Sequence, residues 1–149
     1  MKLLIVHRNI DILCISETWL QTNIPDGYVE IPNYNVFRCD NGRGAGVCMY
    51  VHNVLNLSVI NLDVSRPVGV EDVWVKVQCR KWPAIIIGCV YRHPKALAIS
   101  FEYIEDVFRM ICLRDKGVFI LGDFNDDMMI TGNTISMIIK KQPVDPNNR

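Results

Sequence analysis

VFILGDFN, which spans residues 118–125, is the stretch of the sequence that decides the fold. Its first four residues are an apolar run of the length that a strand buried on both faces requires. Gly122 ends the run and Asp123 follows it, so a carboxylate comes directly after a buried strand. Functional groups of α/β sheets gather at this position, because the rigid strand holds the side chain that follows it. The stretch therefore predicts an α/β sheet with an acidic residue at a strand end.

Two further apolar runs end on polar groups in the same way. NIDILCIS at residues 9–16 leads into Glu17, and AIIIGCVY at residues 84–91 ends on Tyr91. If the three strands are neighbours, two carboxylates and a phenol converge on one cleft. Magnesium is usually held by one or two carboxylates together with water and substrate phosphate. The competing interpretation is that Glu17 and Asp123 only cap loops. Asn125, two residues after Asp123, favours the metal site.

The remaining pattern predicts more strands and one long helix. Apolar residues at positions 97, 101, 104, 107, 108 and 111 lie on one helix face, which predicts a helix over residues 97–113. The glycine-rich segment 40–46 (DNGRGAG) is predicted to be a turn between strands, with flexible φ at its glycines. Strands mixed with a helix indicate an α/β or α+β class in a single domain. The other predicted elements are strands at 34–38, 47–51, 57–62 and 73–78, and short helices at 1–6 and 134–141.

Composition excludes several classes of protein and leaves the partner open. Sixteen basic and sixteen acidic residues cancel, so net charge neither supports nor opposes a nucleic-acid partner. Six cysteines without a CxxC pair indicate buried thiols in a reducing compartment, not a zinc site or a disulfide frame. No segment suits a signal peptide or a membrane span, which predicts an intracellular protein, nuclear or cytoplasmic, without a membrane partner. Trp19 and Trp74 are predicted to be core or shoulder aromatics.

Four segments carry a resemblance to a known family. They are ILCISETWL at residues 12–20, GRGAGVCMYV at 42–51, VYRHP at 90–94 and ILGDFN at 120–125. In this order they resemble the endonuclease of non-LTR retrotransposons, a branch of the endonuclease/exonuclease/phosphatase family that includes apurinic endonucleases and pancreatic deoxyribonuclease. The resemblance covers about residues 9–130. It implies a two-sheet α/β sandwich of the pancreatic deoxyribonuclease-like type that nicks DNA with Mg²⁺, or with Mn²⁺ as the alternative.

The resemblance also implies a role for individual residues. Glu17 matches the glutamate that holds the cation, and Asp123 matches the aspartate that orients or deprotonates the attacking water. Asn125 matches the asparagine that contacts the phosphate, and Tyr91 matches the active-site tyrosine that donates to a phosphate oxygen. The predicted contacts to phosphate or DNA are Arg92, Lys95 and Arg43. The run G-x-G-x-G at 42–46 precedes a strand, not a helix, so it is no dinucleotide fingerprint, and no small-molecule cofactor is predicted.

The same resemblance predicts that residues 1–149 form one incomplete domain. The family begins with a strand that carries a metal-placing asparagine and ends with a strand that carries an aspartate and a histidine. We expect both strands to lie outside this chain, since no histidine follows Asn125. His93, close to Tyr91, is predicted not to replace the missing histidine. Three functions therefore stay open: an impaired DNA endonuclease, an inactive remnant or interaction module, and a small-molecule or lipid phosphatase.

Overall fold

Two sheets and one α-helix make up the described part of the protein, which in the computed structural model comprises residues 9–42, 44–62, 64–78, 83–112 and 117–125. The first sheet is antiparallel in the order β1-β3-β2, and the second has the order β4-β5-β6-β7 with a parallel pair β6–β7. The helix α1 connects β6 to β7. The strands are β1 (Ile12–Ser16), β2 (Tyr34–Cys39), β3 (Val47–His52), β4 (Asn56–Val59), β5 (Val70–Gln78), β6 (Ile85–Arg92) and β7 (Gly117–Asp123), and α1 is Ile99–Cys112.

The first core layer lies between the two sheets. Successive side chains of a strand point to opposite faces, so alternate residues of β3, β5 and β6 share this layer. Its buried members include Val47, Met49 and Val51 of β3, Val75 and Val77 of β5, and Ile87, Cys89 and Tyr91 of β6. The central strand β3 is also covered on its other face, where Cys48 and Tyr50 pack with Ile31. Of the three apolar runs predicted to be strands buried on both faces, the one in β6 is buried. Strand β1 is only half-buried, and Phe119 and Leu121 of β7 are exposed, so the prediction is wrong for β7.

The second core layer lies between the second sheet and α1. The buried helix residues Tyr103, Ile104, Val107 and Ile111 pack against the opposite face of β5 and β6, which confirms the amphipathic helix predicted from the apolar spacing. Trp74 is buried in this layer, as predicted. It pairs with Gly88 of β6, where a Cβ atom would meet the indole ring. The glycine therefore makes room for the tryptophan.

A buried carboxylate ties β5 to the helix. Asp72 is 3% exposed and accepts hydrogen bonds from Arg66 Nε at 2.6 Å, Trp74 Nε1 at 2.9 Å and Tyr103 OH at 2.9 Å. Buried ionised groups are tolerated when they are paired and fully hydrogen-bonded. Asp72 meets this condition, so it has a structural role.

Most predicted elements are confirmed, with shifted ends. The strand predicted at 57–62 is β4 and ends earlier, at Val59, and the strand predicted from 73 begins at Val70. The helices predicted at 1–6 and 134–141 lie outside the described residues. Trp19 is 60% exposed, so it does not lie in the core, which was one of the two positions predicted for it. The two-sheet α/β class is confirmed.

The cysteines, predicted to be buried, are buried only in part. Cys48 and Cys89 are buried, but Cys112 is exposed, and the five cysteines in the described ranges are all free thiols. Within the same ranges, no helix is both long enough and apolar enough to cross a membrane.

Candidate active site

The candidate site lies where the carboxyl ends of β1, β6 and β7 meet. Strands β6 and β7 are parallel neighbours, with Tyr91 paired to Asp123. Strand β1 belongs to the other sheet, yet the Tyr91 hydroxyl lies 3.0 Å from Glu17 Oε1. The convergence predicted for the three strands is therefore present, but it is formed across the sandwich and not along one sheet.

Tyr91 is the centre of this arrangement. Its side chain is 1% exposed, and its hydroxyl lies 3.0 Å from both Glu17 Oε1 and the Gly44 carbonyl oxygen. A phenol has one proton, so the two acceptors share it. Burial, followed by the hydrogen bond to Glu17 and the negative charges around it, raises the pKa of Tyr91 to about 12. The phenol is thus protonated at neutral pH and available as a donor.

The segment after β1 is fastened to the glycine-rich turn. The amide of Thr18 donates to the Gly46 carbonyl at 3.2 Å, and that of Trp19 donates to the Ala45 carbonyl at 3.1 Å. Glu17 has φ of 51° and Trp19 has φ of 59°, a left-handed conformation that costs energy for residues other than glycine. At Gly46, with φ of 94°, a Cβ atom would lie 2.6 Å from Thr18 Oγ1. The predicted flexible glycines are confirmed here, and the turn fixes the backbone that carries Glu17.

A tight turn at the end of β7 orients Asp123 and Asn125. The amide of Asn125 donates to Asp123 Oδ1 at 2.9 Å. The side-chain amide of Asn125 donates to the Arg92 carbonyl at 2.9 Å, which ties the turn to β6. Asn125 itself has φ of 45°, a conformation that asparagine adopts more readily than most residues. Both side chains are therefore held next to the strand that carries Tyr91.

Arg92 does not fit the predicted phosphate contact. It is 6% exposed, and its guanidinium lies 3.9 Å from the centroid of the Phe101 ring. Its nitrogens donate to Ser100 Oγ at 2.7 Å and to the Ala96 carbonyl at 2.8 Å, with longer bonds of 3.4 Å to the carbonyls of Phe124 and Asn125. Because the donors are already used inside the protein, Arg92 supports the β7 turn and does not face a ligand.

The structure describes Lys95 and His93, but not Arg43. Lys95 is exposed, and its phosphate contact stays a prediction. Arg43 lies outside the described residues. His93 is half-buried and its Nδ1 accepts from the Lys95 amide at 3.1 Å. That His93 does not replace the missing histidine stays a prediction.

Glu71 is a site residue that the sequence reasoning missed. It is 3% exposed and stands opposite Tyr91 in the β5–β6 register. Its Oε1 accepts a hydrogen bond from Asn41 Nδ2, and its negative charge contributes to the raised pKa of Tyr91. The one signal in the sequence is a glutamate among the valines of β5. A charged residue is normally exposed, so this signal does not predict burial.

The donors of the site suit a hard divalent cation. Among the described residues, no three His, Cys, Asp or Glu side chains lie close enough to hold a metal ion by themselves. Magnesium needs only one or two carboxylates, because water and phosphate complete its shell. Glu17 is exposed and oriented by Tyr91, and Asp123 and Glu71 add negative charge around the same phenol. An oxygen-only set with excess negative charge fits a hard divalent cation, and Glu17 is the residue that would hold it.

A separate groove of about 810 Å³ is lined by residues of β2, β5 and the segment after β4, including Arg38, Arg66 and Trp74. None of Glu17, Tyr91 or Asp123 lines it. Its polar wall includes Asp72, whose oxygens are engaged in the structural network of β5. This groove is therefore not part of the candidate site.

The fold and the oxygen donors at its strand ends define a class of protein, the two-sheet α/β sandwiches with acidic side chains at their strand ends. The chain belongs to the endonuclease/exonuclease/phosphatase family, whose model matches residues 2–134. Members of this family hydrolyse phosphoester bonds and generally use divalent metal ions. The predicted endonuclease/exonuclease/phosphatase family and the two-sheet α/β fold are therefore confirmed, whereas the retrotransposon branch and the hydrolytic activity of this chain stay predictions.

A solved structure shows the same fold. The human Nocturnin catalytic domain, determined with a bound sulfate anion, superposes with a TM-score of 0.61 at 15% sequence identity. The match covers 85% of this chain and 56% of the Nocturnin chain, so the present chain spans little more than half the length of that structure. No curated protein sequence is significantly similar to the chain.

Proposed function

We propose that this chain is the endonuclease domain of a non-LTR retrotransposon and hydrolyses phosphodiester bonds of DNA with Mg²⁺ or Mn²⁺. The observation that carries the proposal is the 3.0 Å hydrogen bond between the Tyr91 hydroxyl and Glu17 Oε1. It joins the carboxylate of one sheet to the strand end of the other sheet, where Asp123 and Asn125 lie. The order of the four segments around these residues supports the retrotransposon branch.

Each residue of the site has a separate task in this hydrolysis. The bound cation supplies positive charge that stabilises the negative charge developing on the phosphate. Asp123 accepts the proton of the attacking water, and the Asn125 amide at 2.9 Å holds its carboxylate in place. Tyr91 keeps its proton and donates a hydrogen bond to a phosphate oxygen, in exchange for one of its present bonds to Glu17 Oε1 and the Gly44 carbonyl. The water oxygen bonds to phosphorus, one phosphorus–oxygen ester bond breaks, and the leaving oxygen takes a proton from solvent.

Trp19 supports a nucleic acid over a small-molecule or lipid phosphoester. Its indole is 60% exposed only two residues after Glu17, and its left-handed backbone is held by the Ala45 carbonyl. Strained backbone that the surroundings enforce is concentrated at functional sites. An exposed aromatic ring beside a phosphodiester site offers a surface on which a base can stack. We therefore assign Trp19 to a nucleobase next to the scissile phosphate.

Replacement of Trp19 by alanine separates the two substrate classes. Base stacking on an aromatic side chain is worth about 1–3 kcal/mol, so kcat/KM for plasmid nicking should fall about 5- to 150-fold. Hydrolysis of bis(p-nitrophenyl) phosphate, which has no base, should stay unchanged. A matched control is Tyr28→Ala, which removes another exposed aromatic ring and should affect neither substrate. Both activities should require Mg²⁺ and vanish in a chelator.

Two results would contradict these assignments. An equal loss on both substrates for Trp19→Ala would remove the nucleobase contact and favour a small-molecule phosphatase. Cleavage that persists in the chelator would remove the divalent cation from the reaction.

An inactive scaffold or interaction module is the competing proposal. It is supported by the lack, within the described ranges, of any three acidic, histidine or cysteine side chains that hold a metal ion together. The same assay separates the two proposals, because a scaffold without chemistry shows no cleavage of either substrate at any Mg²⁺ concentration.

A further inference from the structure

Glu71 is a buried carboxylate that the hydrolytic roles above leave unassigned. It lies on β5, directly across from Tyr91 on β6. Paired residues on one face of an antiparallel sheet have Cβ atoms about 4.5–5.5 Å apart, so the two side chains are neighbours. Both belong to the strand face that looks toward the first sheet, as do Val75 and Cys89. Glu71 thus stands beside the central residue of the candidate site.

The fold alone gives no reason for a carboxylate at this position. The next residue, Asp72, faces α1 and has its oxygens bonded by Arg66, Trp74 and Tyr103. Glu71 accepts a side-chain bond only from Asn41, and its buried Oε2 has no hydrogen-bond partner among the described residues. A buried carboxylate with an unsatisfied oxygen lowers stability. Packing therefore does not explain Glu71, whereas it does explain Asp72.

A short chain of contacts leads from Glu71 to the site. Asn41, which binds Glu71 Oε1, lies near the start of the turn at 40–46. Within the same turn, the Gly44 carbonyl oxygen lies 3.0 Å from the Tyr91 hydroxyl. The carbonyls of Ala45 and Gly46 hold the backbone that follows Glu17. The turn is also held by the Gly42 amide, which donates to the Leu20 carbonyl at 2.9 Å, and by the ion pair of Asp40 with Arg38 at 3.3 Å. The bond from Asn41 to Glu71 is the contact that ties it to β5.

We propose that Glu71 is a positioning residue of the active site, which fixes the turn at 40–46 through Asn41 and thereby places the Tyr91 phenol. The inference rests on the proposed function, because the position of the phenol matters for hydrolysis only if Tyr91 belongs to the active site. It assigns to Glu71 no contact with substrate.

Two replacements of Glu71 separate positioning from packing. Glu71→Gln keeps an oxygen that accepts from Asn41, whereas Glu71→Leu removes both oxygens at similar volume. We expect Glu71→Leu to lower kcat by up to about 100-fold, since a small displacement of a site group is enough for such a loss. Glu71→Gln should rescue most of kcat. Tm should fall in neither variant, because each removes a charge that is buried without full partners.

The position of the phenol is read directly by NMR of ring-¹³C-labelled tyrosine. The signal of Tyr91 is identified by its absence in Tyr91→Phe. It should shift in Asn41→Ala, and by more in Glu71→Leu than in Glu71→Gln, which loses the charge beside the phenol but keeps the bond from Asn41. Glu102→Gln, which removes an exposed carboxylate from α1, serves as the control and should leave the signal in place. In a Tyr91→Phe background, Asn41→Ala should cause no further loss of kcat, because its effect passes through the phenol.

Failure of the positioning role of Glu71 can be told apart from failure of the proposed hydrolysis. A Tyr91 signal that stays in place in both Glu71→Leu and Asn41→Ala overturns the positioning role. So does a kcat loss for Asn41→Ala that adds in full to that of Tyr91→Phe, or a fall in Tm that accounts for the loss of activity. If the signal shifts as expected while the wild-type chain cleaves no phosphodiester, the positioning of Tyr91 is supported and the proposed hydrolysis is overturned.

Discussion

Asp123→Ala is expected to lower kcat for plasmid nicking by about 10²–10⁴-fold, the usual contribution of a positioned general base. KM for DNA should change little, because Asp123 is assigned to the attacking water and not to binding. The loss follows from geometry: the carboxylate stands in register with Tyr91 and is held by the Asn125 amide at 2.9 Å. The measurement is the initial rate of conversion of supercoiled to nicked plasmid at saturating Mg²⁺.

Asp123→Asn separates the chemistry of this residue from its place in the turn. The asparagine keeps an oxygen for the Asn125 amide but accepts a proton far less readily, so its kcat should be nearly as low as that of Asp123→Ala. Asp106→Ala, at an exposed position of α1, is the matched control and should nick like the wild type. Equal nicking by wild type and Asp123→Ala would remove Asp123 from the mechanism.

Gly122→Ala should have the largest effect on stability and should disturb the site as well. Gly122 has φ of 143°, and a Cβ atom there would overlap the Val90 carbonyl oxygen of the neighbouring strand. The substitution must either strain the backbone or push β7 away from β6. We expect a loss of about 3 kcal/mol in the free energy of unfolding, which corresponds to a fall in Tm of roughly 6–12 °C for a chain of this size.

Thermal unfolding followed by circular dichroism measures this effect. Gly27→Ala is the control, because no atom lies within 4 Å of the Cβ position and the residue is exposed; its Tm should match that of the wild type. Since Gly122 directly precedes Asp123, the folded fraction of Gly122→Ala should also nick DNA more slowly. An unchanged Tm for Gly122→Ala would mean that β7 does not pack against β6 as described.

The elements could be predicted from the sequence, but not their assignment to sheets. The apolar runs before Glu17 and in β6 and β7 look alike in sequence, yet only β6 is buried along nearly its whole length, since Phe119 and Leu121 of β7 are 56% and 47% exposed. Strand β1 nevertheless pairs with β3 in the first sheet, and only its end reaches Tyr91. Sheet membership depends on pairing between distant segments, and a local apolar pattern contains no information about this pairing.

The residues of the candidate site could be predicted in part, because some of them follow from local sequence and others depend on distant contacts. Chemistry at strand ends and the family resemblance together indicated Glu17, Tyr91 and Asp123, which the structure brings together. Arg92 is predicted to contact phosphate because it follows Tyr91 directly, whereas its donors are used by Ser100 and by carbonyls of the protein. Glu71 was missed because a charged residue is normally exposed. The burial of a charged side chain depends on partners far away in sequence, which periodicity does not show.

Titration of ring-¹³C-tyrosine-labelled protein with Mn²⁺ is the most direct test of the central claim that Glu17 seats a divalent cation beside Tyr91. In the wild type, the paramagnetic ion should broaden the Tyr91 signal first and leave the signal of the exposed Tyr28 sharp. In Glu17→Gln, the Tyr91 signal should no longer broaden before the others. A Tyr91 signal that remains sharp in the wild type, or that broadens equally in Glu17→Gln, would contradict the account.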